Sequence, residues 1–248
     1  MIKIEKFEVL GWEHAIRGMR NPMNSWEKSD SGWEPQFDTV QGPVAGEFII
    51  GPNDYALMKH LCNAGTDHRK FMRMITVYLD ITAPLYFWKE FDTYRVGVEK
   101  NSCSTMHKIA AKEFTLDDFS HEHLFHNIND TEMWFDIDFL KVLDNTIFYL
   151  NKARELYLKT HDKKYWWQMI QLLPSSYNQK RTVMLNYEVL ANIYPMRKNH
   201  KLDEWRDFCE WIETLPYSEL ITGEEYGVAH QTISAVAAGQ NWKEEESK

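Results

Sequence analysis

Residues 2–10 (IKIEKFEVL) alternate in part between apolar and polar positions, which predicts a strand. From Arg20 to Gly51 the pattern loses its period. The segments NPMNSW, SDSGWEP and QGPVAG are polar and turn-rich, so 20–51 reads as a long loop. It holds Trp26 and Trp33 in exposed-looking settings, which is odd for a mere linker. Asn53 or Asp54 is placed to cap a short helix through Tyr55, Leu57, Met58 and Leu61, which Gly65 ends. Phe71, Arg73, Ile75, Val77, Leu79 and Ile81 then alternate with Met72, Met74, Thr76, Tyr78 and Asp80, the strongest strand signal in the chain. Pro84 opens a helix through Leu85, Trp88, Phe91 and Tyr94.

The second half reads as helical. Phe139, Leu143, Ile147, Leu150, Ala153 and Leu156 recur every three to four residues, predicting a helix from about Asp136 to His161, ~35–40 Å long at 1.5 Å per residue. Further helical segments are predicted near 179–194, 200–214 and 226–238, with 243–248 a frayed charged tail. There is no internal repeat and no low-complexity linker, so one α+β domain over 1–248 is the simplest organisation.

Composition narrows the function classes. The 248 residues carry a net charge of -9 without a basic run, which argues against nonspecific nucleic-acid binding. No apolar stretch is long enough for a membrane span, and the N-terminus lacks a signal-peptide core, so a cytoplasmic protein is expected. Cys62, Cys103 and Cys209 are too scattered for a disulfide scaffold or a zinc site. Aromatic residues are abundant, with 10 Trp, 12 Tyr and 13 Phe, and suit cores, subunit interfaces and pockets for planar ligands alike.

Three segments carry candidate chemistry. In His121-Glu122-His123-Leu124-Phe125-His126, His123 and His126 would share a helix face, but no second ligand cluster accompanies them, so no metal is expected. Cys103 is either a nucleophile activated by His107 one turn on, or an ordinary buried thiol. The loop VGVEKNSCSTMHK offers hydroxyls, an amide, lysines and an imidazole. It is either a recognition loop for a phosphorylated small molecule or a polar connection. No glycine-rich phosphate loop or GxSxG is present.

The order Asp54, Leu57-Met58, Leu61, Gly65 and His68, then the strand, Ala83-Pro84-Leu85-Tyr86, and Phe91 with Tyr94-Arg95 resembles the flavin-dependent thymidylate synthases. In that family a His ends the first helix, an AP(I/L)(F/Y) run starts the next, and an Arg-His-Arg signature follows. The second half is similar in order and spacing, through Leu172-Leu173-Pro174, Asn186, Leu190, Asn192, Arg197 and Trp205. Together the matching blocks cover somewhat over half the chain. Thr93-Tyr94-Arg95 keeps only the last arginine of the signature. Glu188 stands where the family has a flavin-contacting arginine, and Ile170 where an arginine precedes Leu-Pro. Cys103 takes the place of the nucleotide-binding serine, or, with a one-residue insertion, Asn101 and Ser104 match instead.

The resemblance implies an α+β thymidylate synthase-complementing protein-like fold, a mixed sheet with a long-helix bundle. It implies a homotetramer with FAD between subunits beside dUMP, with methylenetetrahydrofolate and NADPH as co-substrates. Carried over residue by residue, His68, Tyr94, Arg95, Asn186 and Asn192 face the flavin. Asn101, Cys103 and Ser104 face the nucleotide, and Arg197 polarises a pyrimidine carbonyl. Asn186 and Asn192 lie on one helix and equally fit plain helix–helix hydrogen bonding. The rival expectation is a catalytically inactive nucleotide- or protein-binding homologue that keeps the fold, since each lost arginine removes a contact worth roughly 1.5–3 kcal/mol unless Lys89, Lys100, Lys108 or Lys180 substitutes. A third is an acidic interaction protein that uses the aromatic 20–50 segment.

Overall fold

The computed structural model describes residues 2–38, 42–125 and 138–223. In chain order they form β1 (Lys3–Leu10), α1 (Trp12–Arg20), β2 (Gly32–Asp38), β3 (Gly42–Ile49), α2 (Pro52–Asn63), β4 (Thr76–Pro84), α3 (Leu85–Phe91), β5 (Glu99–Ser102) and α4 (Thr105–Lys108). There follow α5 (Phe139–Thr160), α6 (Lys163–Leu172), β6 (Asn178–Asn186), α7 (Tyr187–Arg197), α8 (Asp203–Glu213) and α9 (Glu219–Thr222). Four strands form a sheet in the order β1-β4-β6-β5, and β2 and β3 make a separate antiparallel hairpin. The expected α+β fold is the one observed. The described residues divide into two compact units, one drawn from 82–92 and 102–181, the other from 2–81, 93–101 and 182–223.

The first unit is built around α5. Asp138 caps it, accepting from Lys141 N at 2.8 Å, and His161 closes it in the left-handed region at φ 55°. Leu143, Leu150 and Ala153 fall on one face and bury against Ile109, Phe114, Phe119 and Met169 of α6. The helix predicted from about Asp136 thus begins at Phe139. Asn151 ties the preceding loop to it, accepting from Phe114 N and donating to Phe114 O, both at 2.8 Å.

In the second unit, α1 follows a sharp corner at Gly11, where φ is +95° and any Cβ would collide with the Met74 carbonyl. Trp12, Ala15, Ile16 and Met19 are its buried stripe. Trp12 meets Tyr187 edge-on at 5.3 Å, and the Tyr187 hydroxyl donates to Pro216 O at 2.6 Å. Trp205, Phe208, Trp211 and Ile212 of α8 complete the core.

Several expectations need correction. The 20–51 segment is not a long loop: it carries two 3-10 turns and the β2–β3 hairpin. Pro35 and the register shift between Glu34 and Gln36 break the alternation that would reveal a strand. Asp54 does not cap α2, which starts at Pro52 with Gly51 as its cap. Instead the Asp30 carboxylate accepts from Asn53 N at 2.8 Å and Asp54 N at 3.1 Å. Residues 70–74 form a 3-10 turn, so the strand begins only at Thr76. The helix opened by Pro84 ends at Phe91, before Tyr94. Residues 178–186, read as helix, form β6, where Val183 and Leu185 are buried two apart. The predicted 226–238 helix, the 243–248 tail and His126 lie outside the described residues. Among the described residues no helix is long and apolar enough to cross a membrane.

Candidate functional site

Helix α7 carries the candidate residues Asn192 and Arg197 on two different faces, and Asn186 stands at its start. Asn186 is its cap, accepting from Val189 N at 3.0 Å. Gly97 packs directly against it: its φ is +73°, and a Cβ there would stand 3.0 Å from Asn186 Nδ2 and 3.3 Å from Val189 Cγ2. The segment after α3 therefore lies along α7, with Gly97 at the helix start and Tyr94 at its end.

At that end Arg197 Nε donates to the Tyr94 hydroxyl at 2.9 Å. The guanidinium carbon sits 4.4 Å from the centre of the fully buried Trp205 ring, and Tyr94 meets Trp205 edge-on at 5.9 Å. A planar cation on an indole face gains about 0.5–2 kcal/mol and loses rotational freedom. Arg197, Tyr94 and Trp205 thus form a box that fixes the direction of one positive charge. Lys100 Nζ reaches the Tyr94 carbonyl at 3.4 Å.

The second face of α7 holds Glu188 and Asn192, one turn apart. Arg69 Nε forms an ion pair with Glu188 at 2.9 Å, and its Nη2 donates to Asn192 Oδ1 at 3.1 Å. Arg69 also borders a cavity of about 330 Å³ with Lys59, Cys62, Asn63, Pro195 and Glu219. Burial pushes the Cys62 thiol up to about 12; the nearby Arg69 charge pulls it down and Glu188 adds to the rise.

The structure therefore joins Arg197 to Tyr94, and Asn186 to the same segment through Gly97. It joins Asn192 to Arg69, the neighbour of His68. His68 and Arg95 have exposed side chains in this unit, as does Asn101 on β5. Cys103 and Ser104 belong to the other unit. There Cys103 is exposed rather than buried, its backbone N bonded to Lys180 O at 2.9 Å and its carbonyl to Gln179 Nε2 at 2.9 Å. His107 does not serve the thiol: its Nδ1 pairs with Ser104 Oγ at 2.8 Å, and Ser104 caps α4. His121 Nδ1 pairs with Phe119 O at 2.8 Å. Among the described residues no cluster of three or more His, Cys, Asp or Glu is placed to hold a metal.

Sequence reasoning missed Arg69. The signal available was the glutamate at 188: a buried acid in the first turn of a helix asks for a cation from a neighbouring element.

In the comparison with solved structures, the chain matches thymidylate synthase X (ThyX) from Helicobacter pylori, crystallised with FAD and dUMP, at TM-score 0.60 and 18% identity over 90% of this chain and 98% of that one. The fold is that of the flavin-dependent thymidylate synthase ThyX. A second Helicobacter pylori ThyX structure with FAD and dUMP matches at TM-score 0.58 with the same 18% identity and the same coverage. PolB from Streptomyces cacaoi, a UMP/dUMP methylase bound with 5-Br UMP, matches at TM-score 0.55 and 11% identity over 86% of this chain and 88% of that one. No protein-family model matches the sequence, and neither does any curated protein.

Proposed function

We propose that the chain is a flavin-dependent enzyme that methylates dUMP or a related pyrimidine deoxynucleotide, with methylenetetrahydrofolate as carbon donor and NADPH as reductant. The observation that carries this reading is the Arg197 box. A guanidinium held by the Tyr94 hydroxyl and the Trp205 face is set before any ligand arrives. A fixed cation stabilises negative charge developing on a pyrimidine carbonyl without reorganising during the reaction. Asn101 supplies an amide to the same nucleotide from β5.

The donor set on this unit suits FAD. His68 and Arg95 are exposed, and Arg69 with Asn192 adds a guanidinium and an amide, the groups that a diphosphate and a flavin ring require. Tyr94 and Asn186 complete the flavin-side residues. When bound, FAD supplies the hydride chemistry, while the chain orients the rings and polarises the nucleotide. A homotetramer in the cytoplasm completes the reading. On α5, Val142, Phe148 and Tyr149 are more than half exposed, at 64%, 55% and 61%, an apolar surface that a subunit interface would cover.

A second reading, a nucleotide-binding homologue without turnover, draws on Glu188. Its carboxylate neutralises Arg69, so this face offers less net positive charge to an anionic ligand. Reconstitution separates the two. Purified protein is mixed with FAD, freed of excess and scanned for the flavin absorption band. The enzyme reading requires a yellow protein. A protein that stays colourless at saturating FAD overturns it.

A further inference from the structure

A cavity of about 320 Å³ opens beside α1, and Glu13, Ile16, Arg17, Trp26, Trp33 and Phe48 are among its lining residues, as are Arg20, Ser29 and Ser31. None of these residues belongs to the Arg197 box or the Arg69 network. Its floor is fixed by the buried Asp54 carboxylate, which accepts from Arg20 Nε at 2.5 Å, Ser29 Oγ at 2.6 Å and Ser31 Oγ at 2.7 Å. Its walls are two tryptophans that remain 50% and 62% exposed, Trp26 and Trp33 respectively.

Both indoles have already committed their N–H groups. Trp26 Nε1 donates to Asn21 Oδ1 at 2.8 Å, and Trp33 Nε1 to Glu13 Oε2 at 3.2 Å. Phe48 braces Trp33 edge-on at 5.3 Å. The indoles are therefore held by their polar edges, and at 50% and 62% exposure each leaves apolar ring surface to a ligand. Glu13 and Arg17 stand one helical turn apart in the order that favours an ion pair. Among the described residues they do not form one: Glu13 turns to Trp33, and Arg17 has no hydrogen bond or ion pair. A carboxylate and a guanidinium thus line the cavity separately, while Arg20 is neutralised by Asp54. The balance disfavours a bare cation, which would meet Arg17, and a bare anion, which would meet Glu13.

We propose that this cavity binds a planar heteroaromatic ring with an amide-type edge, the pattern shared by guanine and pterins. The ring stacks on the indoles, its N–H groups donate to Glu13, and its carbonyl accepts from Arg17. Calorimetric titration of the full chain with guanosine, pterin and adenosine tests this. Saturable binding of guanosine or pterin is expected, the tighter of the two identifying the source. Adenosine, whose edge puts a donor where Arg17 needs an acceptor, should bind at least about tenfold more weakly. Trp33→Leu and Arg17→Gln alter exposed side chains, and each should weaken binding by about fivefold or more, the lower end of what losing one base–aromatic stack costs. Three results overturn the proposal: no saturable heat with guanosine or pterin, adenosine binding as tightly as they do, or unchanged affinity in both variants. FAD uptake by the same samples is read separately, so its failure leaves this test intact.

Discussion

Replacing Asp54 with asparagine should unsettle the whole 20–54 region. The carboxylate is completely buried and accepts from Arg20 Nε, Ser29 Oγ, Asp30 N, Ser31 N and Ser31 Oγ. Arg20, only 4% exposed, spends its remaining donors on Ser25 O and Lys28 O. An asparagine amide keeps one acceptor oxygen but leaves the guanidinium uncompensated, and breaking a buried pair in this way costs about 3–5 kcal/mol. At this chain length that is a Tm lower by roughly 6–20 °C. Acid should narrow the gap. Burial pushes the Asp54 carboxyl up, but hydrogen bonds from Ser29, Ser31 and Arg20, with the Arg20 charge, outweigh it and hold the group below its ordinary 3.8. A folded value below the unfolded one contributes stability that is complete above the unfolded value. That contribution is lost as pH falls from there through the lower folded value. Urea unfolding followed by circular dichroism, at pH 7 and in steps below pH 4, measures both effects. An Asp54→Asn protein within about 1 kcal/mol of the parent at pH 7 would refute the reasoning.

Three further outcomes follow from the geometry. Iodoacetamide at pH 8 should label Cys103 alone, because burial pushes the Cys62 and Cys209 thiols up to about 12 while Cys103 is exposed; peptide mass spectrometry with adducts on all three would contradict this. Gly97→Ala should cost about 1–2 kcal/mol in urea unfolding, since it forces a left-handed backbone onto alanine and crowds Asn186 and Val189, and a neutral substitution would show that the segment does not press on α7. Trp205→Leu should lower catalytic turnover through Arg197 as well as stability, whereas Phe208→Leu on the same helix should lower stability only; equal turnover losses would remove Trp205 from the site.

How much of this was legible in the sequence depended on whether one period ran unbroken. The three-to-four-residue recurrence from Leu143 to Ala153 marked α5 because nothing interrupts it. In β1 the alternation is only partial because Lys6, at φ 50°, resets the phase between Ile4 and Val9. The hairpin was hidden by Pro35, the glycines and the bulge. β6 was hidden because its apolar run continues straight into α7, so Val183, Leu185, Val189, Leu190 and Ile193 look like one helical stretch. At the site, the pairing of Tyr94 with Arg197 spans 103 residues and leaves no local pattern. Asp54 looked like a helix cap because a capping aspartate and a buried ion-pair aspartate occupy the same kind of position; only Arg20, 34 residues earlier, distinguishes them.

The central claim, that Arg197 polarises a pyrimidine nucleotide in a flavin-dependent methylation, is tested most directly by tritium release from [5-3H]dUMP. Protein is incubated with FAD, NADPH and methylenetetrahydrofolate, and the water fraction is counted. The account predicts release that requires FAD and that Arg197→Ala abolishes while the variant still takes up the flavin. Release that persists at the parental rate in Arg197→Ala, or no release from a fully flavin-loaded parent protein, would contradict it.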